Sequence, residues 1–259
     1  MRVAVVGHVE WVEFVEVDQV PAPGQIAHGL DSWAEPAGGG AVVAAQLLKL
    51  TGNCDFFTAL GDDEIGRQSE ARLRELGLGL HIQWFGQTRR AVTLVDANRE
   101  RTIITVGEKL RPEGPLPLAA YDAVFFVAGD AQALRSSRAA RFLAATPREL
   151  ETLREGGVPL DLLVGSATDP GERYDGGLEA AVVCGTEGAR GGIANGARYE
   201  ASPPPGPLED AYGAGDSFAA TLCFGLARGD SLTDALALAA RAGAAVVTGK
   251  GPYTAQISL

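Results

Sequence analysis

Basic residues are in short supply. Twenty-two Lys and Arg stand against 33 Asp and Glu, a formal net charge of −11 over 259 residues. A chain with this balance is poorly suited to nucleic acid or to an anionic membrane surface, since both reward an excess of Lys and Arg. Cysteine is scarce as well. Cys54, Cys184 and Cys223 lie far apart, each inside an apolar run. They leave no CxxC pair for structural zinc and no disulfide framework, and they read as small buried hydrophobes of a reducing compartment. No signal peptide is visible and no apolar run reaches bilayer-spanning length, so the expected location is the cytoplasm. Repeats and low-complexity tracts are missing too. What remains, 46% hydrophobic and 21% charged residues, describes a globular protein whose length suits one domain over residues 1–259.

Apolar runs alternate with helix-period stretches along that domain. Val3–Val6, Phe56–Leu60, Ala123–Val127, Leu160–Val164 and Ala180–Cys184 read as buried strands. Helices are predicted over Ala41–Leu50, from Asp62-Asp63 to Leu76-Gly77, over Gln132–Leu143 and over Leu232–Val247. Asp62 and Asp63 read as carboxylates favoured in a first helical turn. Such alternation implies an α/β fold, a mainly parallel sheet flanked by helices, with ligands gathered at the carboxyl ends of its strands. The turns after Val6, Val164 and Cys184 should therefore converge with the turn at Gly213. Two other regions alternate residue by residue, Trp11–Val20 and, within His81–Val106, the hairpin Ala91–Val95/Thr102–Val106. They are predicted to form a small sheet standing off the body, from about 11–20 and 90–106. After the first strand, Gly7 leads into His8-Val-Glu-Trp11 with no second glycine, which removes the dinucleotide fingerprint and the case for a NAD-linked oxidoreductase.

The most informative stretch is Asp210-Ala-Tyr-Gly-Ala-Gly-Asp-Ser-Phe218. Gly213, Ala214 and Gly215 make a tight bend. Beyond it Phe218, Leu222 and Leu226 recur four apart as the stripe of a helix that Gly229 ends. A glycine bend entering a helix aims several backbone N–H groups at one spot, backed by about half a positive charge. That is an anion site, with phosphate its usual occupant. Asp216 at its mouth works against anion binding, which points to a different role for it, accepting the proton of a hydroxyl that attacks phosphorus. A plain helix-capping carboxylate is the competing reading.

Asp-x-x-Gly-Ala-Gly-Asp-Ser-Phe resembles the C-terminal signature of the ribokinase (phosphofructokinase-B) family of carbohydrate kinases, and the likeness runs through nearly the whole chain. It implies a three-layer sandwich whose small β-sheet is a lid over the acceptor and sometimes a homodimer interface. It implies Asp216 as catalytic base and Gly213, Ala214 and Gly215 as anion hole. The Gly38-Gly39-Gly40 turn would contact the sugar. Ser166, Gly185, Thr186 and Gly188, with Gly213, Gly215 and Gly251, would line ATP. Mg²⁺ would be held through water by Asp169, and a monovalent cation is a further expectation.

The likeness frays at defined places. The family's sugar-binding Asp and Asn are replaced by Val12 and Val43, so an ordinary pentose or hexose is in doubt, and His8, Glu10 or Trp11 would read a different alcohol. The Asn-x-x-Glu that orders magnesium appears as Ser166-Ala-Thr-Asp169, which keeps oxygen donors. Lys109 reads as a solvated side chain. The resulting expectation is an ATP-dependent kinase of a sugar or related small polyol or nucleoside. The lost sugar contacts leave open a non-catalytic ligand-binding protein on the same scaffold.

Overall fold

The computed structural model describes residues 1–259. Six helices and thirteen strands follow one another as β1 (Val3–Val6), β2 (Glu10–Glu16), β3 (Asp31–Ala37), α1 (Gly39–Thr51), β4 (Asp55–Leu60), α2 (Glu64–Glu75), β5 (Gly79–Trp84), β6 (Arg90–Val95), β7 (Arg101–Val106), β8 (Ala123–Phe126), α3 (Ala131–Ser137), β9 (Phe142–Ala145), α4 (Leu150–Gly156), β10 (Leu160–Ser166), β11 (Ala180–Thr186), β12 (Gly192–Ala194), β13 (Ala197–Tyr199), α5 (Ala214–Ala227) and α6 (Leu232–Val246).

The nine-stranded main sheet runs β13-β12-β11-β10-β9-β8-β1-β4-β5. Its strands from β11 to β5 are parallel, and only the pairings of β12 with β11 and with β13 are antiparallel, so β12 alone runs against the rest. Period-two alternation splits each central strand between two cores. Val3 and Val5 join the cluster built on α1, α5 and α6, while Ala4 and Val6 join the cluster built on α3 and α4. Three layers result. Chain succession leaves β1 toward β4 on one side and toward β8 on the other. The gap beyond the carboxyl ends of β1 and β8 is thus a topological switch point, the place where open α/β sheets bind ligands.

The second sheet has the order β3-β2-β6-β7. Glu10, Val12 and Phe14 of β2 are buried, facing Ala37, Val42, Ala91, Tyr212 and Tyr253. Trp11 and Glu13 take the opposite face by strand alternation. At its far edge β7 is exposed throughout, Ile103, Ile104 and Val106 included. No helix is long and apolar enough to cross a membrane.

Two local expectations are corrected, and two further elements go beyond the sequence reading. The helix expected over Gln132–Leu143 stops at Ser137, and Phe142–Ala145 is a parallel strand between β8 and β10. A short apolar run fits helix or strand equally, and here the vacant place in the sheet decides. The alternation that begins at His81 belongs to two sheets, since Gly79–Trp84 pairs with β4 in the body. Asp31–Ala37, with Pro36 in it, is a lid strand, tolerated because proline at a sheet edge removes no ladder bond on its open side. Asn195-Gly196, both at positive φ, turn a hairpin between β12 and β13 that the Asn-Gly pair announces. By contrast Asp63 caps α2 as expected, accepting from Gly66 N at 2.7 Å.

Candidate active site

α5 begins at Ala214 behind Gly213, whose φ of +81° is the left-handed conformation that glycine adopts without penalty. A side chain there would also meet Val42 and Pro252. The main-chain N–H groups of Gly213, Gly215 and Asp216 donate to no protein acceptor, and the space beside Gly215 is open. Unmet helix-start donors of this kind suit a phosphate. Asp210 builds the approach. Its carboxylate accepts from Tyr212 N at 2.8 Å and Gly251 N at 3.3 Å, tying the turn before α5 to the last turn of the chain.

Asp216 lies in the first turn of α5 and forms no ion pair. Burial, then the Glu172 carboxylate, pushes its pKa up to about 6, against the opposing pull of Arg101 and Arg148. A Cβ on Gly39 would stand 3.1 Å from Asp216 Oδ1 and 3.3 Å from Val127 Cγ1. Val127 follows β8, so Asp216 faces the switch point.

The Gly38-Gly39-Gly40 turn between β3 and α1 crosses that point. Gly40 presses on the chain after β1: a Cβ there would lie 2.5 Å from the His8 carbonyl oxygen. On the other side a Cβ at Gly38 would be 3.3 Å from His8 Nε2 and 3.4 Å from Glu10 Cγ. One glycine turn therefore separates Asp216 from His8 and Glu10. Both of these are buried. Burial, reinforced by the charges of Lys109, Arg89, Arg148 and Arg111, holds the His8 imidazole well below its ordinary value. Burial raises the Glu10 carboxyl even though Arg89 pulls the other way.

The remaining residues singled out in the sequence fall as follows. Ser166 and Thr186 are register partners at the carboxyl ends of β10 and β11, and Gly185 pairs with Gly165 beside them. Gly188 starts the turn after β11. Gly251, at φ +70°, packs on the lid: its Cβ position is 2.7 Å from Glu35 Oε1. Asp169 is engaged, accepting from Arg148 at 2.7 Å and from Gly171 N at 2.8 Å, which holds its carboxyl below the usual range. Trp11 is not brought in, because it lies on the opposite face of β2 from Glu10. Lys109 is corrected outright. It is mostly covered, and its ammonium donates to Glu149 at 2.9 Å.

Four residues escaped the sequence reading. Glu172 accepts from Ser166 N at 2.5 Å and from Arg148 at 2.8 Å, and it is the acid whose charge reaches Asp216. Arg148, after β9, bridges Asp169 and Glu172. Arg101 of the lid donates to the Ala211 carbonyl at 2.6 Å, fastening the lid hairpin to the turn before α5. Tyr212 packs edge-on against Phe14 at 5.0 Å and accepts from Gly38 N at 3.1 Å. A tyrosine inside the glycine signature was the one visible signal among these.

Through Tyr212 the turn before α5 holds the Gly38–Gly40 turn in place. Tyr212→Phe keeps the ring and orphans the Gly38 N–H. The expected result is a KM for the acceptor raised several-fold and a loss of roughly 1–3 kcal/mol in unfolding free energy. Steady-state kinetics and urea melts read both, and unchanged kinetics would leave Tyr212 a packing residue only.

With the site in view, the chain matches the sequence pattern of the pfkB family of carbohydrate kinases over residues 1–159 and 167–258. It belongs to that family, whose members are phosphotransferases acting on a sugar alcohol group. A ribokinase from Dictyostelium discoideum is 29% identical over 109 residues, a match covering 41% of this chain and 34% of that protein. The fold is shared with a nucleoside kinase from Methanocaldococcus jannaschii (TM-score 0.78, 17% identity, covering 100% of this chain and 95% of that one). It is shared also with an Arabidopsis thaliana ribokinase solved with ribose and ATP (TM-score 0.75, 21% identity, covering 99% and 96%).

Proposed function

We propose that this protein transfers the γ-phosphoryl group of ATP to a hydroxyl of a small sugar, polyol or nucleoside, with Asp216 as general base. The observation that carries the reading is the position of Asp216. It has no ion-pair partner, it is raised to about 6, and it stands between unmet α5 amides and the Gly39 turn. At neutral pH it is ionised yet basic enough to take a proton as the hydroxyl oxygen bonds to phosphorus. The N–H groups of Gly213, Gly215 and Asp216 meet charge on the transferred group, and the bond to the ADP oxygen breaks.

ATP supplies the phosphoryl group, and Mg²⁺ offsets charge on its phosphates. No cluster of three or more His, Cys, Asp or Glu side chains is arranged to hold a metal alone. The oxygen donors of Ser166, Asp169 and Glu172 suit a hard cation that takes one or two carboxylates, often through water, with phosphates completing its shell. Ser166, Gly185, Thr186 and Gly188, at the ends of β10 and β11, are assigned to the nucleotide. His8, Glu10 and the Gly38–Gly40 turn are assigned to the acceptor. Arg101, by holding the lid hairpin on the Ala211 carbonyl, would help the lid shield the reaction from water once the substrates fill the cleft.

The test is ADP release with Mg-ATP across a panel of sugars, polyols, nucleosides and their acidic derivatives. Acceptor-dependent release supports the reading. Tight binding of one compound with no turnover would establish a ligand-binding protein instead.

A further inference from the structure

The acceptor side of the cleft is rich in hydrogen-bond donors and poor in acceptors. In a chain of net charge −11, Arg89 shares Glu10 with His8, whose Nε2 lies 3.9 Å from Glu10 Oε1, and the charges of Lys109 and Arg111 also reach His8. Two carboxylates answer these three cations. Glu149 takes both Lys109, at 2.9 Å, and Arg111, at 3.6 Å, while Glu10 lies 3.2 Å from Arg89 Nε. That last approach is too poorly aligned to be a hydrogen bond, and Arg89 Nε is buried with no partner. His8 is also buried, and its Nδ1 has no partner. Arg148 does not enter this count, because Asp169 and Glu172 already hold it.

A polyhydroxylated neutral acceptor presents O–H donors and needs carboxylate or amide oxygens to receive them. Of the side chains next to the Gly38–Gly40 turn, Val12 and Val43 are apolar and fully buried, and besides Asp216, reserved for the reacting hydroxyl, Glu10 is the carboxylate on the His8 side. A carboxylate or phosphate is all acceptor. It would satisfy a guanidinium, an ammonium and an imidazole N–H together.

Resting on the kinase reading above, we propose that the acceptor carries an anionic group, a carboxylate or a phosphate, held by Arg89 and Lys109 with His8, while its reacting hydroxyl faces Asp216. The guanidinium of Arg89 takes the anion in a forked contact. Lys109 and Arg111, sharing one Glu149, contribute the surplus positive charge. Glu10 lies beside the anion's site and receives any neighbouring hydroxyl.

The experiment compares kcat/KM for matched compounds of one carbon skeleton: the neutral sugar or polyol, its phosphate ester and its sugar acid. The expected result is a preference of roughly 10²-fold or more for one anionic form, the size of a desolvated charge contact, and the winning arm tells phosphate from carboxylate. Arg89→Met should shrink that preference by about 10²-fold through KM more than kcat, and Arg89→Lys should recover part of it. Lys109→Met, on a separate segment, should shift the preference the same way should Arg89→Met prove unstable. A preference for the neutral compound, or one indifferent to both substitutions, overturns the proposal. The same compounds and inorganic phosphate are titrated calorimetrically into Asp216→Asn protein, where no chemistry intervenes. Anion binding that Arg89→Met abolishes sustains the proposal even without turnover, in which case the kinase reading alone has failed. No anion binding overturns it.

Discussion

Asp216→Asn is expected to lower kcat by roughly 10²–10⁴-fold while leaving nucleotide binding within a few-fold, and to make the protein more stable at pH 8. The two effects share one cause. Burial and the Glu172 charge hold the folded-state pKa at about 6, above the ordinary 3.8. A carboxyl raised on folding costs nothing while protonated in both states, below about 3.8. The cost grows as pH rises and is complete above about 6. The shift corresponds to at most ~3 kcal/mol at pH 8, less whatever share water reaching the cleft screens. Asparagine cannot ionise, so it escapes that cost. At ~2–4 °C per kcal/mol for a chain of this size, the variant should melt several degrees above the parent at pH 8 and level with it near pH 3.5. The parent's kcat should fall as pH drops through about 6, since protonation removes the base. Calorimetry across pH and ADP release check both. Full activity in the variant would end the base assignment, and an equal melting difference at pH 3.5 and pH 8 would dismiss the electrostatic explanation.

Adjacent glycines of the Gly38–Gly40 turn, assigned above to the acceptor, should fail in opposite ways. Gly39 is the first residue of α1 and its φ is not in the left-handed region, so alanine suits the backbone. Its methyl would, however, stand 3.1 Å from Asp216 Oδ1. Gly39→Ala is therefore expected to fold with unchanged or slightly raised stability and to lose roughly 10- to 10²-fold in kcat/KM, the scale of a displaced reacting group. Gly40→Ala puts its methyl 2.5 Å from the His8 carbonyl oxygen and 2.8 Å from the His8 nitrogen, main-chain atoms that cannot swing aside. It should lose roughly 1–3 kcal/mol of stability or more, with activity following the folded fraction. Melting curves beside kinetics on the two variants separate these outcomes. A Gly39→Ala protein of full activity would show that the acceptor does not pass between this turn and Asp216.

Much of the site was legible because its chemistry is local in the chain. Gly213 to Phe218 spell a bend, a helix start and an acid in its first turn, so the amides and the carboxylate share one place whatever surrounds them. The buried strands β1, β4, β8 and β10 were equally plain, since two covered faces demand continuous apolar runs, whereas β11, expected to be buried too, is covered fully only at Cys184. Strand β9 was not: Phe142–Ala145 carries the same alanines and leucine that a helix would accept. Lys109 looked free because nothing near it in sequence explains its burial. Its partner Glu149 is 40 positions away.

By itself, then, the sequence determined a mainly parallel α/β body, a small second sheet and an acid in the first turn of a helix that a glycine bend starts. Propensity, periodicity and turn chemistry act over a few residues, and these features need no more. Only the tertiary structure decided what surrounds that acid: Gly39 in front of it, Glu172 close enough to raise it, and Tyr212 bonded to Gly38 across 174 positions. The approach of Arg89 and His8 to the one Glu10 carboxylate belongs with them. Electrostatic and packing contacts depend on distance in space, and strand order, with β1 between β4 and β8, sets those distances.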